Sequence, residues 1–135
     1  METGEIRRRI IQTDKSPAPI GPFSQAVAVG NTIYLSGQLG ADPATGKLVE
    51  GGVEAETHQI FKNIIAVLKA DGLSLKNVVK CTVLLASMED FQKINAVYAQ
   101  YFTEKHPARK CFQVACLPMN GNIEIECVAI KNLID

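Results

Sequence analysis

The chain has 135 residues, 47% of them hydrophobic and 21% charged, with Lys+Arg 14 balancing Asp+Glu 14. That apolar fraction excludes a disordered chain, and the zero formal charge argues against a protein built to grip phosphate backbones. At this length one domain, residues 1–135, can bury roughly two-thirds of its unfolded surface without staples.

Met1 to Arg9 carries no apolar stretch behind Arg7-Arg8-Arg9, so no secretory signal is expected. The basic triplet reads as a charged first strand rather than a mitochondrial or nuclear address. Ser24–Val29 and Thr32–Ser36 are β-prone runs around Gly30-Asn31, a two-residue hairpin signal. Gly37 to Gly52 is rich in Gly, Pro and Asp and reads as loop.

Val53 to Ala70 repeats apolar residues every fourth position, at Ile60, Ile64 and Leu68 and at Phe61 and Ile65. With Glu54 and Glu56 at its start and Asp71-Gly72 at its end, it reads as a helix. Val78 to Leu85 is a strand interrupted by Lys80 and Thr82. Ser87-Met88-Glu89-Asp90 resembles a capping box with Asp in place of Glu, opening a helix whose stripe is Phe91, Ile94, Val97, Tyr98, Tyr101 and Phe102. Pro107 is expected to stop it. Arg109–Ala115 and Ile123–Ile130 read as strands of a last hairpin turning at Asn120-Gly121.

The pattern is α+β, with two helices over one face of a single sheet. Val78–Leu85 and Ala26–Val29 are nevertheless apolar on both faces. A second copy of the chain is the simplest cover, and clefts between copies are natural ligand sites.

No apolar run approaches the roughly 20 residues that span a bilayer, so no membrane association is expected. Cys81, Cys111, Cys116 and Cys127 form no CxxC pair, and His58 and His106 cannot complete a zinc site of the usual spacing, so no metal is expected. Three of the cysteines lie in strand-like runs and read as reduced, buried thiols of a cytoplasmic protein. Both histidines fall on a helix surface or end, a poor basis for a Ser-His-Asp triad. With 6% aromatics and no Trp, nucleic-acid binding is also poorly supported.

Arg109 opens its strand after His-Pro-Ala, sharing a face with Cys111 and Gln113. It is either a carboxylate fork held on a stiff strand or a solvated edge arginine. Ile123–Ile130 has apolar odd positions and an even face mixing Glu124 and Glu126 with Val128 and Ile130. A carboxylate there is either paired with a cation or shifted in pKa, and so able to orient a water or relay a proton, or it faces solvent at the exposed strand end. Ser36-Gly37-Gln38-Leu39-Gly40 reads as a turn able to offer backbone N–H groups to an anion. On its spacing alone, Phe23 reads as core.

Gly21-Pro22-Phe23-Ser24-Gln25-Ala26, Tyr34-Leu35-Ser36-Gly37-Gln38, Asn77-Val78-Val79-Lys80-Cys81-Thr82-Val83, Pro107-Ala108-Arg109 and Ile123-Glu124-Ile125-Glu126 follow one another in a definite order. In that order and spacing they resemble the reactive intermediate deaminase (RidA/YjgF) family, from about Ile6 to Ile130. The resemblance implies a chorismate-mutase-like fold, a homotrimer with sites between subunits, and no cofactor. It implies hydrolysis of 2-iminobutanoate and 2-iminopropanoate, or their enamine tautomers, to 2-oxo acids and ammonia. Carried over, Arg109 binds the substrate carboxylate and Glu124 positions the attacking water. Ser36, Gly37, Asn95 and Cys111 line the pocket, Cys111 acting through its backbone carbonyl. Phe23 departs from the Tyr that many members carry after Gly-Pro. The competing readings are a ribonuclease or translation inhibitor, and a non-catalytic, chaperone-like binder of small carboxylates.

Overall fold

Short β-prone runs form six strands in chain order: β1 (Arg8–Ile11), β2 (Ala26–Val29), β3 (Thr32–Leu39), β4 (Val78–Leu85), β5 (Ala108–Gln113) and β6 (Ile123–Ile130). Two longer helices, α1 (Gly52–Ala70) and α2 (Phe91–Tyr101), interrupt them. The computed structural model describes residues 4–135. Met1-Glu2-Thr3, the start of the stretch read for an address, lie outside the described residues.

The strands form one mixed sheet in the order β1-β2-β3-β6-β4-β5. Every neighbouring pair is antiparallel except β4 and β5, which run parallel. The charged triplet does enter a strand, and β2 joins β3 through Gly30-Asn31, with Gly30 at φ +60 in the first loop position as a type II′ turn requires. β4 and β6 occupy the very residues read for them from sequence.

Three expectations are corrected. β5 and β6 do not form a hairpin: β6 lies between β3 and β4, and β5 is an edge strand paired with β4. The Asn120-Gly121 signal belongs instead to a 3₁₀ turn, Pro118–Asn120, with Met119 and Asn120 left-handed at φ 59 and 55. The first hairpin does not end at Ser36, because β3 continues to Leu39. It carries a bulge there: Leu35 pairs Cys127 and Gln38 pairs Ile125, so Ser36 and Gly37 together oppose Glu126. Finally, α2 ends at Tyr101, well before Pro107, with Phe102 already extended. Ser87 caps a 3₁₀ turn leading into it, accepting from the Glu89 N–H at 3.2 Å.

Both helices pack into one core. Ile60, Phe61, Ile64 and Leu68 of α1 and Ile94 and Tyr98 of α2 join Ile33, Cys81, Val83, Ile123, Ile125 and Ala129 in a single buried cluster. Asp71 caps α1, an unfavourable end for an acid. The Arg9 guanidinium, bonded at 2.7 and 3.0 Å, holds its carboxyl below the usual range and ties β1 to the helix. Of the four free thiols, only Cys81 and Cys127 are buried; Cys111 is half-buried and Cys116 exposed, which corrects that reading.

The other sheet face is largely bare. Val27, Tyr34 and Val128 line up across it in register, and Leu84 lies between Glu124 and Phe112. Tyr34 is 53% and Phe112 41% exposed.

Candidate functional site

The residues singled out by sequence fall into two groups on opposite faces of the sheet. Arg109 pairs with Cys81 across β4, and Glu124 pairs with Leu84. Successive side chains alternate faces, so Arg109 lies on the helix side and Glu124 on the bare side, with Cα atoms roughly 14 Å apart by strand spacing and rise.

The first group is at the sheet edge. Arg109 Nη1 donates to Asn95 Oδ1 at 2.8 Å, and its Cζ sits 4.8 Å from the Tyr98 ring centroid and 5.6 Å from that of Phe91. Asn95, Tyr98 and Phe91 all come from α2, whose helical spacing turns them toward β5. The guanidinium is thus held flat and oriented, with its remaining N–H donors free for a planar anion. Cys111 is its neighbour on the same face. Burial raises the Cys111 thiol pKa despite the Arg109 charge, so it stays protonated and is a poor nucleophile.

The second group lines a cleft of about 410 Å³. Phe23, Ser36, Gly37 and Glu124 are all there, with Glu126 beside them. Phe23 is 49% exposed, so it is cleft wall and not core, a correction that follows from its place in an irregular segment ahead of β2. Ser36 Oγ donates to the Ser24 carbonyl at 2.6 Å, which draws the Phe23 segment against the bulge. At Gly37 an added Cβ would lie 2.8 Å from Glu124 Cδ, so the missing side chain is what lets the carboxyl rest on the strand. Burial, then the charge of Glu126, raises the Glu124 pKa. A carboxyl so placed exchanges protons nearer to neutral pH than a solvated one.

Sequence reasoning assigned no role to Gln25, which is 3% exposed. Its amide accepts from Thr13 N at 2.8 Å and donates to the carbonyls of Thr13, Ser16 and Pro17, so it holds the Pro17–Ile20 wall of the cleft. Met119 on the opposite wall was also missed. A second cavity, of about 680 Å³, borders His106 and Pro107 and contains none of the predicted site residues. His58 contacts Tyr101 Oη at 2.7 Å. Among the described residues no three His, Cys, Asp or Glu side chains are grouped to hold a metal ion, and no helix is long and apolar enough to cross a membrane.

A family described as endoribonuclease L-PSP matches residues 13–131. The 2-iminobutanoate/2-iminopropanoate deaminase of Capra hircus is 57% identical over 124 residues, 92% of this chain and 90% of that one. RidA from an Antarctic Psychrobacter species superposes with a TM-score of 0.88 at 49% identity, covering 90% of this chain and 98% of that one. E. coli TdcF, solved with bound serine, gives 0.87 at 37% identity over 92% and 99%. The motifs, the sheet and these matches agree: the chain belongs to the endoribonuclease L-PSP family, that of the reactive intermediate deaminases.

Proposed function

We propose that this single-domain chain is a cofactor-free hydrolase converting 2-imino and 2-enamino acids such as 2-iminobutanoate and 2-iminopropanoate to 2-oxo acids and ammonia. It works as a homotrimer, each site taking Arg109, Asn95 and Cys111 from one copy and Phe23, Ser36, Gly37 and Glu124 from the next. The observation that carries the reading is the half-buried Glu124 carboxyl, resting on Gly37 in a cleft and raised in pKa. The bare apolar sheet face supports the trimer, and the serine bound to TdcF supports a pocket for an amino-acid-sized carboxylate.

A protonated imine carbon is already electrophilic, so the protein needs only to hold the carboxylate, place a water and move protons. Arg109 takes the carboxylate with the donors that Asn95 leaves free. Glu124 accepts a proton as the water oxygen bonds to the imine carbon, giving a carbinolamine. That proton passes to nitrogen, the C–N bond breaks as Glu124 takes the hydroxyl proton, and ammonia leaves with the 2-oxo acid behind it.

The family's endoribonuclease description favours a second reading. RNA cleavage needs cations along the backbone path. The residues lining the cleft carry two carboxylates and no Lys or Arg, which favours the small imine. The free thiols agree with work in the reducing cytoplasm.

The test generates the imine with an amino acid oxidase or threonine dehydratase and lets semicarbazide compete for it. The chain is expected to suppress semicarbazone formation; binding of 2-oxo acids without suppression establishes the non-catalytic binder instead.

Two substitutions refine the site. Phe23→Tyr is expected to raise kcat/KM on 2-iminobutanoate about 2- to 12-fold, the value of one hydrogen bond to ligand or water. An unchanged or lower value removes the ring from the account. Gly37→Ala keeps an allowed backbone but drives the Glu124 carboxyl from its seat. It is expected to cut kcat about tenfold or more while the melting temperature stays near that of the parent. Equal kcat in calorimetrically matched samples excludes this seat as the working one.

A further inference from the structure

Two further parts of the cleft lining come from distant segments, the exit of β3 at Leu39 and Ala41 and the turn at Pro118 and Met119. Both are fastened to α1. Asn63, fully buried, donates Nδ2 to the carbonyls of Leu39 at 3.3 Å and Ala41 at 2.9 Å, and Gln59 orients it by donating to its Oδ1. Two turns earlier on the same helix face, Glu56 is 3% exposed. Its carboxylate accepts from the Asn122 backbone N–H at 2.9 Å and from Asn122 Nδ2.

A buried carboxylate is costly unless donors satisfy it. Glu56 gives both oxygens to one residue, two positions before Glu124. Asn122 is gripped from its other side by Ala86, whose N–H donates to its carbonyl at 3.0 Å. The helix also presses directly on the strand exit, since a Cβ on Gly40 would lie 2.6 Å from Glu56 Cα. The turn that Glu56 secures contains Met119 and Asn120 in left-handed conformations, which side chains adopt when their surroundings hold them there.

We propose that Glu56 is a positioning residue: by fastening Asn122 to α1 it fixes the Met119 turn and the start of β6, and with them the seat of Glu124 against Gly37. The proposal rests on the reading that Glu124 handles the reacting proton. Among the described residues Glu126 is the charged neighbour that bears on Glu124; the residues beside it on β3 and β4, Leu39 and Leu84, carry no charge.

The experiment titrates Glu124 by carbon NMR of carboxyl-labelled glutamate in the parent, Glu56→Ala and Glu56→Gln chains, and measures kcat and KM on the imine in each. Glu56→Ala is expected to drop the Glu124 midpoint toward the ordinary carboxylate range and to lower kcat about tenfold or more, with KM changed less than about threefold. Glu56→Gln keeps an acceptor for the Asn122 N–H while removing the charge, and is expected to rescue both readouts. If Gln behaves as Ala does, charge and not position is at work and the proposal falls. It falls equally if Ala lowers only the melting temperature. Asn122→Ala, which removes the side-chain bond alone, is expected to shift the midpoint in the same direction by less, and serves if Glu56→Ala does not fold. Should even the parent fail to hydrolyse imines, the functional reading fails, and the Glu124 midpoint still decides whether Glu56 positions it.

Discussion

Arg109→Ala is expected to lower kcat/KM on 2-iminobutanoate by about 150- to 5,000-fold, because it leaves the substrate carboxylate unpaired in a partly buried cleft at a cost of about 3–5 kcal/mol. Arg109→Lys keeps the charge but loses the planar fork and the stacking on Tyr98, so it recovers only part of the loss. Both changes uncover the outer side of the Tyr98 ring without removing a core side chain, so the melting temperature should fall by only a few degrees. The position of Arg109 makes a sharper test possible. It stands on the helix face at the sheet edge, whereas Glu124 stands on the bare face, and no motion of side chains within one chain brings them together. Arg109→Ala and Glu124→Gln chains, each inactive alone, should therefore complement when unfolded, mixed and refolded. Random assembly of a ring gives a site with both groups intact about one time in four, so about one quarter of parent activity should return. Recovery of nothing, with mixed trimers demonstrated by mass, rules out a site shared between copies.

The parts of this site differ in how legible they are from sequence, and the reasons are physical. β4 and β6 were readable to the residue because β4 is a short, mostly apolar run and β6 an apolar alternation, each bounded by turn signals, and both lie in the sheet interior. Strand order was not readable. Asn120-Gly121 is a local hairpin signal, but which strand sits beside which depends on how much apolar surface each must hide. β5, Ala-Arg-Lys-Cys-Phe-Gln, has no fully buried residue and takes the edge, leaving β6 to pair with β3 and β4. The bulge at Ser36-Gly37 escaped for a related reason: glycine marks a turn and a bulge equally well, and only the register with β6 separates them.

The residues proposed to carry the chemistry were singled out because a resemblance named them; their types alone left Arg109 and Glu124 with bland alternatives. The groups that hold the cleft in shape were missed altogether. Gln25 acts through hydrogen bonds to backbone 8 to 12 residues away and Glu56 through one to backbone 66 residues away, arrangements that leave no periodic trace. Glu56 in particular was read as a first-turn acid suited to the helix dipole, a role that its burial against Asn122 replaces.

Glu124→Gln is expected to make the protein slower and, at neutral pH, more stable. Loss of the proton acceptor should lower kcat about 10²- to 10⁴-fold, the usual worth of a positioned acid–base group, while KM changes little because Arg109 still holds the carboxylate. The stability change follows from linkage. Burial and the Glu126 charge raise the Glu124 pKa, so the folded state binds this proton more tightly than the unfolded chain does. The stability that the proton contributes is fully present below the unfolded carboxylate value and is lost as pH rises through the folded one. Glutamine does not ionise, so the variant should melt higher than the parent above that window, with the advantage vanishing at acid pH. In the parent the same ionisation sets the acidic limb of the kcat profile, which should lie above the ordinary carboxylate range. Glu126→Gln removes a neighbouring negative charge, eases ionisation of Glu124, and should move that limb to lower pH. A Glu124→Gln protein that keeps its kcat, or that melts below the parent at neutral pH, would show that this carboxyl neither handles the proton nor bears the cost of a charge held in the cleft.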